Sequence, residues 1–334
     1  PEQKTRAEVF AFVESELKDM DATLAASGSN EYGRVDKTAA KFLLAQIYLN
    51  SKVYTGTERY NDVATICNEI VTGSAYTFAN VPYRYLFSAD NDRNGAQNEV
   101  IFPVVGDGNA IRAIGGGMSF ILHASIGGKM VSADQGMDGG WSGIRTRPEF
   151  VSLFPDVNAA SDKRGTFFTD GQTLDIADYG VFTNGYAVTK FTNVNSDGSK
   201  AQRPDMPDTD FPMYRLSDVY LMYAEATLRG ASTGNMTTAL EYINKIRARA
   251  SAGIITSSEL TLDFLLDERG RELFWECHRR TDLIRFGKFT GSSKIWQWKG
   301  GIKNGSGTDS YRDLMPIPSR AIQANPTLKQ NPGY

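Results

Sequence analysis

The chain has 334 residues, with 36 Lys+Arg against 39 Asp+Glu, a formal charge of −3. That balance supplies no net positive field for nucleic acid and no lysine-rich tract for an anionic membrane surface. Apolar residues at 41% and charged ones at 22% sit close to globular usage of roughly 45–50% and about 25%, so a sizeable core is expected and disorder is not.

Taken in chain order, the opening six residues are polar and run straight into a helix pattern, with no signal-peptide features. Two readings follow: a cytosolic protein, or one whose N-terminal part has been removed. Thr5-Arg6-Ala7-Glu8 has the form of a capping box, and Phe10, Val13, Leu17, Met20 and Leu24 behind it recur at spacings of three and four. A second helix is expected after Asp36, with Ala40, Leu43, Leu44, Ile47 and Tyr48 on one face. After a turn at Thr55-Gly56, a third stripe runs from Tyr60 through Val63, Ile66, Cys67 and Ile70 to Gly73.

The same helix, loop, helix plan returns with Leu216, Val219, Tyr220, Tyr223 and Leu228, a break at 230–234, and then Ala239, Leu240, Ile243 and Ile246. Each pair has a small residue in its first helix (Ala45, Ala224) and another early in its second (Ala64, Ala239), which permits close backbone approach. This is the plan of a tetratricopeptide-type hairpin, although the loops depart from a strict period. Longer apolar stretches such as 39–49 and 216–226 carry polar residues and fall short of the roughly 20 residues that cross a bilayer.

Between the helical blocks, residues 106–143 hold 11 glycines and only five charges, a composition that argues against regular helix and for an ordered, functional loop. Residues 179–193 have the aromatic and β-branched content of short strands around Asn184-Gly185. The stretch opening Asp90-Asn91-Asp92-Arg93-Asn94-Gly95 begins like a calcium loop. Its twelfth position is Ile101 where a bidentate Glu belongs, which excludes an EF-hand and favours Asn/Asp turn chemistry. Trp296 and Trp298 alternate and are expected to share one strand face. Pro316, Pro318, Pro326 and Pro332 mark an extended surface tail.

The chemistry is narrowly bounded by two cysteines and two histidines. A clustered zinc site needs about four Cys/His ligands, and neither His123 nor His278 stands in a nucleophile motif. Cys67 lies in an apolar stripe and is expected as a buried free thiol in preference to a disulfide with Cys277. The densest charge pattern runs over 265–287. On one continuous helix it would pair Asp267 with Arg271 and Glu276 with Arg280. A glycosidase would need Glu268, Glu272 or Glu276 as opposed acids, whereas Arg269, Arg271, Arg279 and Arg285 argue for a docking network that keeps them ionised.

That segment, through Glu268-Arg269, Arg271-Glu272-Leu273, Glu276, His278-Arg279, Asp282-Leu283, Arg285 and Gly287, resembles the signature of the SusD/RagB family of outer-membrane nutrient-binding lipoproteins. Leu314-Met315-Pro316-Ile317-Pro318 and Gln330-Asn331-Pro332-Gly333-Tyr334 match it too, as do Tyr32-Gly33-Arg34, Val53-Tyr54-Thr55-Gly56, Glu99-Val100-Ile101-Phe102 and Leu221-Met222-Tyr223-Ala224-Glu225-Ala226. Gly270, Cys277 and Phe286 stand where the family often has Arg, Gly and Trp.

The resemblance implies a mainly α fold of tetratricopeptide-like helical hairpins, at 1–75 and 213–334, around an irregular loop-rich lobe at 76–212 carrying short strands. It implies a cell-surface protein whose signal, lipidated cysteine and first repeat helices precede these residues. It further implies a non-catalytic receptor, with no cofactor or metal, that binds a glycan and delivers it to a SusC-like TonB-dependent transporter. A peptide-binding RagB-like receptor and a helical glycoside hydrolase are the alternatives. Sugar capture needs aromatic faces and a few planar polar groups on loops. The glycine-rich stretch offers Phe120, His123 and Trp141 as a platform with Asn109 and Arg112 as hydroxyl contacts; Tyr83 is a weaker platform candidate. Trp141 stands in a Gly139-Gly140-Trp141-Ser142-Gly143 setting that also fits a structural role.

Overall fold

A computed structural model of the protein describes residues 2–111 and 115–334. In chain order the helices and strands are α1 (Arg6–Asp19), α2 (Lys37–Leu49), α3 (Ser51–Thr55), α4 (Tyr60–Gly73), β1 (Val100–Val104) and α5 (Gly117–Ser125). There follow β2 (Arg145–Thr146), α6 (Pro148–Val151), β3 (Phe167–Phe168), β4 (Tyr186–Val188) and β5 (Phe211–Arg215). The chain ends with α7 (Leu216–Leu228), α8 (Met236–Arg249), α9 (Leu262–Leu273), α10 (Arg279–Arg285) and α11 (Ser319–Ala324). The mainly helical architecture with a few short strands is the one expected.

Local chemistry explains the helix starts. The Thr5 hydroxyl accepts from Glu8 N while Glu8 Oε2 accepts from Thr5 N at 2.7 Å, closing the capping box of α1. Asp36 Oδ1 accepts from Thr38 N and Ala39 N at the start of α2, and its Oδ2 accepts from Gly28 N and the Tyr76 hydroxyl. One carboxylate therefore caps a helix and fastens two loops to it.

α2 packs on α4, α4 on α7, and α7 on α8 and α9. Ala64, Ala224 and Ala239 are fully buried where these helices meet, as their small size predicts. Residues 216–226 of α7 are buried on every side, Ser217, Asp218 and Glu225 included, because this helix lies at the centre of the pile. A single apolar core joins residues of α2 and α4 to those of α7, α8 and α9, and two smaller cores lie in the intervening lobe. Cys67 is a buried free thiol, held in its protonated form by burial, and Cys277 is also free.

β1 pairs antiparallel with β5 across a register shift, and β2, β4 and β3 form a small antiparallel sheet. Of the strand-like stretch 179–193, only β4 is strand. Three further expectations are corrected. The glycine-rich stretch contains a helix, α5, because residues 118–126 are free of glycine. The charged segment is two helices, since Trp275 and Cys277 adopt φ of 60° and 68° and end α9. Trp296 and Trp298 lie in a turn, with Trp298 at φ 65°, its indole N–H donating to Ile176 O and its ring edge-on to Tyr179.

The break after α9 turns Glu276 inward, so it pairs with Arg215 and Lys190, both at 2.6 Å, instead of Arg280. Asp267 likewise faces Lys294 and Arg279, and Arg271 turns to Glu268.

Candidate functional site

The C-terminal end of α5 exposes carbonyls that no residue of its own helix satisfies. The segment 141–144 runs past that end and satisfies them: Trp141 N donates to His123 O at 2.7 Å, and Gly143 N and Ile144 N donate to Ala124 O at 2.8 and 2.7 Å. Gly140 makes the approach possible, since a Cβ there would stand 2.3 Å from Ile126 O. The Trp141 indole is thereby laid on the His123 imidazole, with centroids 4.7 Å apart and planes 13° from parallel.

His123 is itself 93% buried and locked in orientation. Its Nδ1 lies 2.9 Å from Ser119 O, an acceptor only, so Nδ1 is a donor there, and Nε2 stands 3.4 Å from Asp138 Oδ1. Phe120, also on α5, is tilted 54° to Trp141 at 6.4 Å. Both rings remain about half exposed, Trp141 at 49% and Phe120 at 47%. Two of the residues singled out from sequence, Trp141 and Phe120, thus form an angled, solvent-facing aromatic surface, and a third, His123, is its buried base.

Asn109 is exposed, and its amide donates to Gln202 Oε1 at 2.5 Å. Two residues on, Pro204 O accepts from the N–H of Asp138, the residue that faces His123. The segment 202–204 therefore links the Asn109 loop to the base of the aromatic surface. Arg112 lies outside the described residues. Tyr83 does not belong to the surface: it is 98% buried, its hydroxyl donates to Glu272 O, and its ring faces the Lys190 ammonium. It is a core tyrosine whose polar end closes an acidic network, a role that sequence alone did not separate from exposure.

Several neighbours carried no sequence signal. Asp210 anchors the root of the glycine-rich segment: Oδ1 accepts from Gly106 N and Oδ2 from the Tyr32 hydroxyl, both at 2.8 Å. Burial pushes its carboxyl up to about 6 despite those two donors. A cavity of about 410 Å³ lies beside the start of α5, lined by Ile111, Met118, Ile121, Met206 and Phe211 among others. The Asp90 loop is held as turns: Asp90 accepts from Ser196 and Asn94, and the Asn91 amide donates to the carbonyls of Leu86 and Asp210.

The three acids that the sequence offered to a glycosidase are sealed away. Glu268 and Glu272 are wholly buried and Glu276 nearly so. Burial alone would raise Glu272, yet the Arg215, Arg249 and Arg164 guanidiniums hold it down at about 2. Glu268 and Glu276 are likewise held below the usual range by arginines, with Lys190 helping at Glu276. A carboxylate so paired has no proton to give and no path to a substrate.

Residues 156–334 match the SusD family. Over its full length the chain is 32% identical to the starch-binding protein SusD of Bacteroides thetaiotaomicron and covers 67% of that protein. Among solved structures it is similar to a SusD-like protein from Bacteroides fragilis, with TM-score 0.71 and 22% identity, covering 100% of this chain and 72% of that one. Surface glycan-binding protein A from Bacteroides thetaiotaomicron, solved in complex with laminarihexaose, gives TM-score 0.72 and 24% identity, with 99% and 72% covered. The motif resemblance, the helical pile and these matches agree: the chain belongs to the SusD family.

Proposed function

We propose that the protein is a non-catalytic receptor at the cell surface that captures an oligo- or polysaccharide and passes it to a SusC-like TonB-dependent outer-membrane transporter. The observation that carries this reading is the half-exposed pair Trp141 and Phe120, with the indole backed by a fixed, buried imidazole. Such a surface offers a preformed apolar face to the C–H side of a pyranose ring, at little ordering cost. Asn109 and Arg112 are retained as contacts for hydroxyls. The names of two relatives support the substrate class, one a starch-binding protein and one a glycan-binding protein complexed with laminarihexaose.

We propose that attachment to the outer membrane is through a lipid anchor. No helix among the described residues is long and apolar enough to cross a membrane.

The test is affinity electrophoresis and calorimetry with neutral glucans, repeated on Trp141→Ala and Phe120→Ala. Truncating a central aromatic anchor costs about 2 kcal/mol, so Kd is expected to rise roughly 30-fold for Trp141→Ala. Unchanged binding in both variants rejects the surface as the site. Release of new reducing ends from any polysaccharide rejects the non-catalytic assignment.

A further inference from the structure

A cleft of about 330 Å³, which does not include Trp141 in its lining, is lined by Arg145, Arg147, Arg279, Arg280 and Lys294. Glu149 is the one acid among its lining residues; its Oε1 accepts from Gln297 N at 3.0 Å, and its Oε2 is buried without a hydrogen-bond partner among the described residues, so the five cations outnumber one carboxylate in the lining. Two of these five cations, Arg145 and Arg280, are oriented by neutral acceptors, which fix the side chain without cancelling its charge. Arg145 donates to the carbonyls of Gly143, Tyr179, Val181 and Asn184. Arg280 donates to the carbonyls of Arg312 and Asp313.

A single carboxylate, Asp267, serves both Lys294 at 3.3 Å and Arg279 at 3.7 Å. Arg147 is exposed, and its side chain makes no hydrogen bond or salt bridge among the described residues. Burial pushes the Arg145 and Arg279 guanidiniums below their ordinary value, the direction expected of positive charge held near protein without enough compensating anion.

Aromatic walls complete the cleft. Phe150, Trp275, Phe289 and Trp296 line it, with Phe289 and Trp296 centroids 6.1 Å apart and the Arg280 guanidinium 4.9 Å over Phe289. Guanidinium forks match the two oxygens of a carboxylate or the face of a sulfate, and aromatic walls match the apolar side of a sugar ring.

We propose that this cleft is a second saccharide subsite that binds the anionic group of an acidic sugar, a uronate carboxylate or a sulfate ester, with Arg147 as its free donor. It rests on the glycan-receptor reading only in taking the ligand to be a saccharide. The subsite is distinct from the Trp141 surface but close to it along the chain, since six residues of extended backbone span at most about 22 Å.

The test is an NMR or calorimetric titration with tetragalacturonate and a sulfated galactan tetrasaccharide, beside their methyl-esterified and desulfated counterparts and a polyglutamate peptide. Which charged sugar binds separates carboxylate from sulfate as the source. Binding is expected for a charged sugar over its uncharged counterpart, weakening with added salt. Arg147→Gln is expected to weaken it about tenfold, and Lys294→Gln similarly, with melting temperatures unchanged. Trp141→Ala is expected to leave it in place while weakening neutral-glucan binding by the roughly 30-fold given above, so failure of either site is seen separately. Equal affinity for charged and uncharged sugars, or no change in Arg147→Gln, overturns the proposal. Polyglutamate that competes as strongly as the sugars and depends on Arg147 overturns it in favour of an acidic-peptide site.

Discussion

At Trp141 the indole is held from below by the His123 ring and from its own backbone by an N–H donated to His123 O, so its exposure is a built feature and not a failure of burial. Its neighbour in the sequence reading, Tyr83, is an aromatic of similar size beside an equally polar loop and ends 98% buried. Residue type did not distinguish them, because burial of one ring depends on which distant carbonyl its hydroxyl reaches. Titration at single residues gives a prediction with two opposite limbs. Glu272 and Asp282, held at about 2 by arginines against the effect of burial, contribute stability that is present above their unfolded values and lost as pH falls toward 2. Asp210, raised to about 6 by burial, contributes stability below its unfolded value that is lost as pH rises to about 6. Urea midpoints measured from pH 2 to 8 are expected to fall steeply below about pH 4, and Asp210→Asn is expected to flatten the limb between about pH 4 and 6. An unchanged limb in that variant removes Asp210 as its source.

Elements with periodic apolar stripes and capping residues were legible: α1, α2, α4, α7 and α8 stand where spacing put them. Those interrupted by tertiary demands were not. α5 was hidden by the glycines on either side of it, which serve close approach, as at Gly140, and not the helix. The break within 265–287 was hidden in the opposite way, since the charge pattern reads as continuous helix while the positive φ at Trp275 and Cys277 ends α9 and leaves Glu276 facing Arg215 and Lys190. Cys277 holds φ 68°, a left-handed conformation that costs an L residue roughly 1–2 kcal/mol. Cys277→Gly is therefore expected to stabilise the protein by about 0.5–1 kcal/mol after the entropy of the unfolded glycine is counted. A urea midpoint that falls would show the Cys277 side chain to be worth more than the relief of strain.

At the scale of the molecule, one buried network joins the lobes. Arg215, at the end of β5, binds Glu276 and Glu272 at 2.6 and 2.7 Å and Glu99 at 3.2 Å; Arg164 from the loop-rich lobe reaches Glu268 and Glu272. Removing one partner of a buried ion pair leaves the others uncompensated, at about 3–5 kcal/mol. Arg215→Met is expected to lose stability of that order by denaturant titration; a loss below about 1 kcal/mol would show that the network is not what holds the lobes together. The helical hairpins were readable from the chain alone, because caps and apolar periodicity are local quantities, and the motifs of the charged segment and of the C-terminal residues carried the family resemblance. Only the tertiary structure decided that Trp141 and Phe120 share a surface with His123 as its buried base, that Tyr83 is not part of it, and that Arg145 and Arg147 meet Arg279, Arg280 and Lys294 in one cleft. Those juxtapositions are set by how segments meet in space: residues 141–144 cross the C-terminal end of α5, and Arg145 and Arg147 come to rest beside Arg279, Arg280 and Lys294 from a remote part of the chain, which no local pattern encodes.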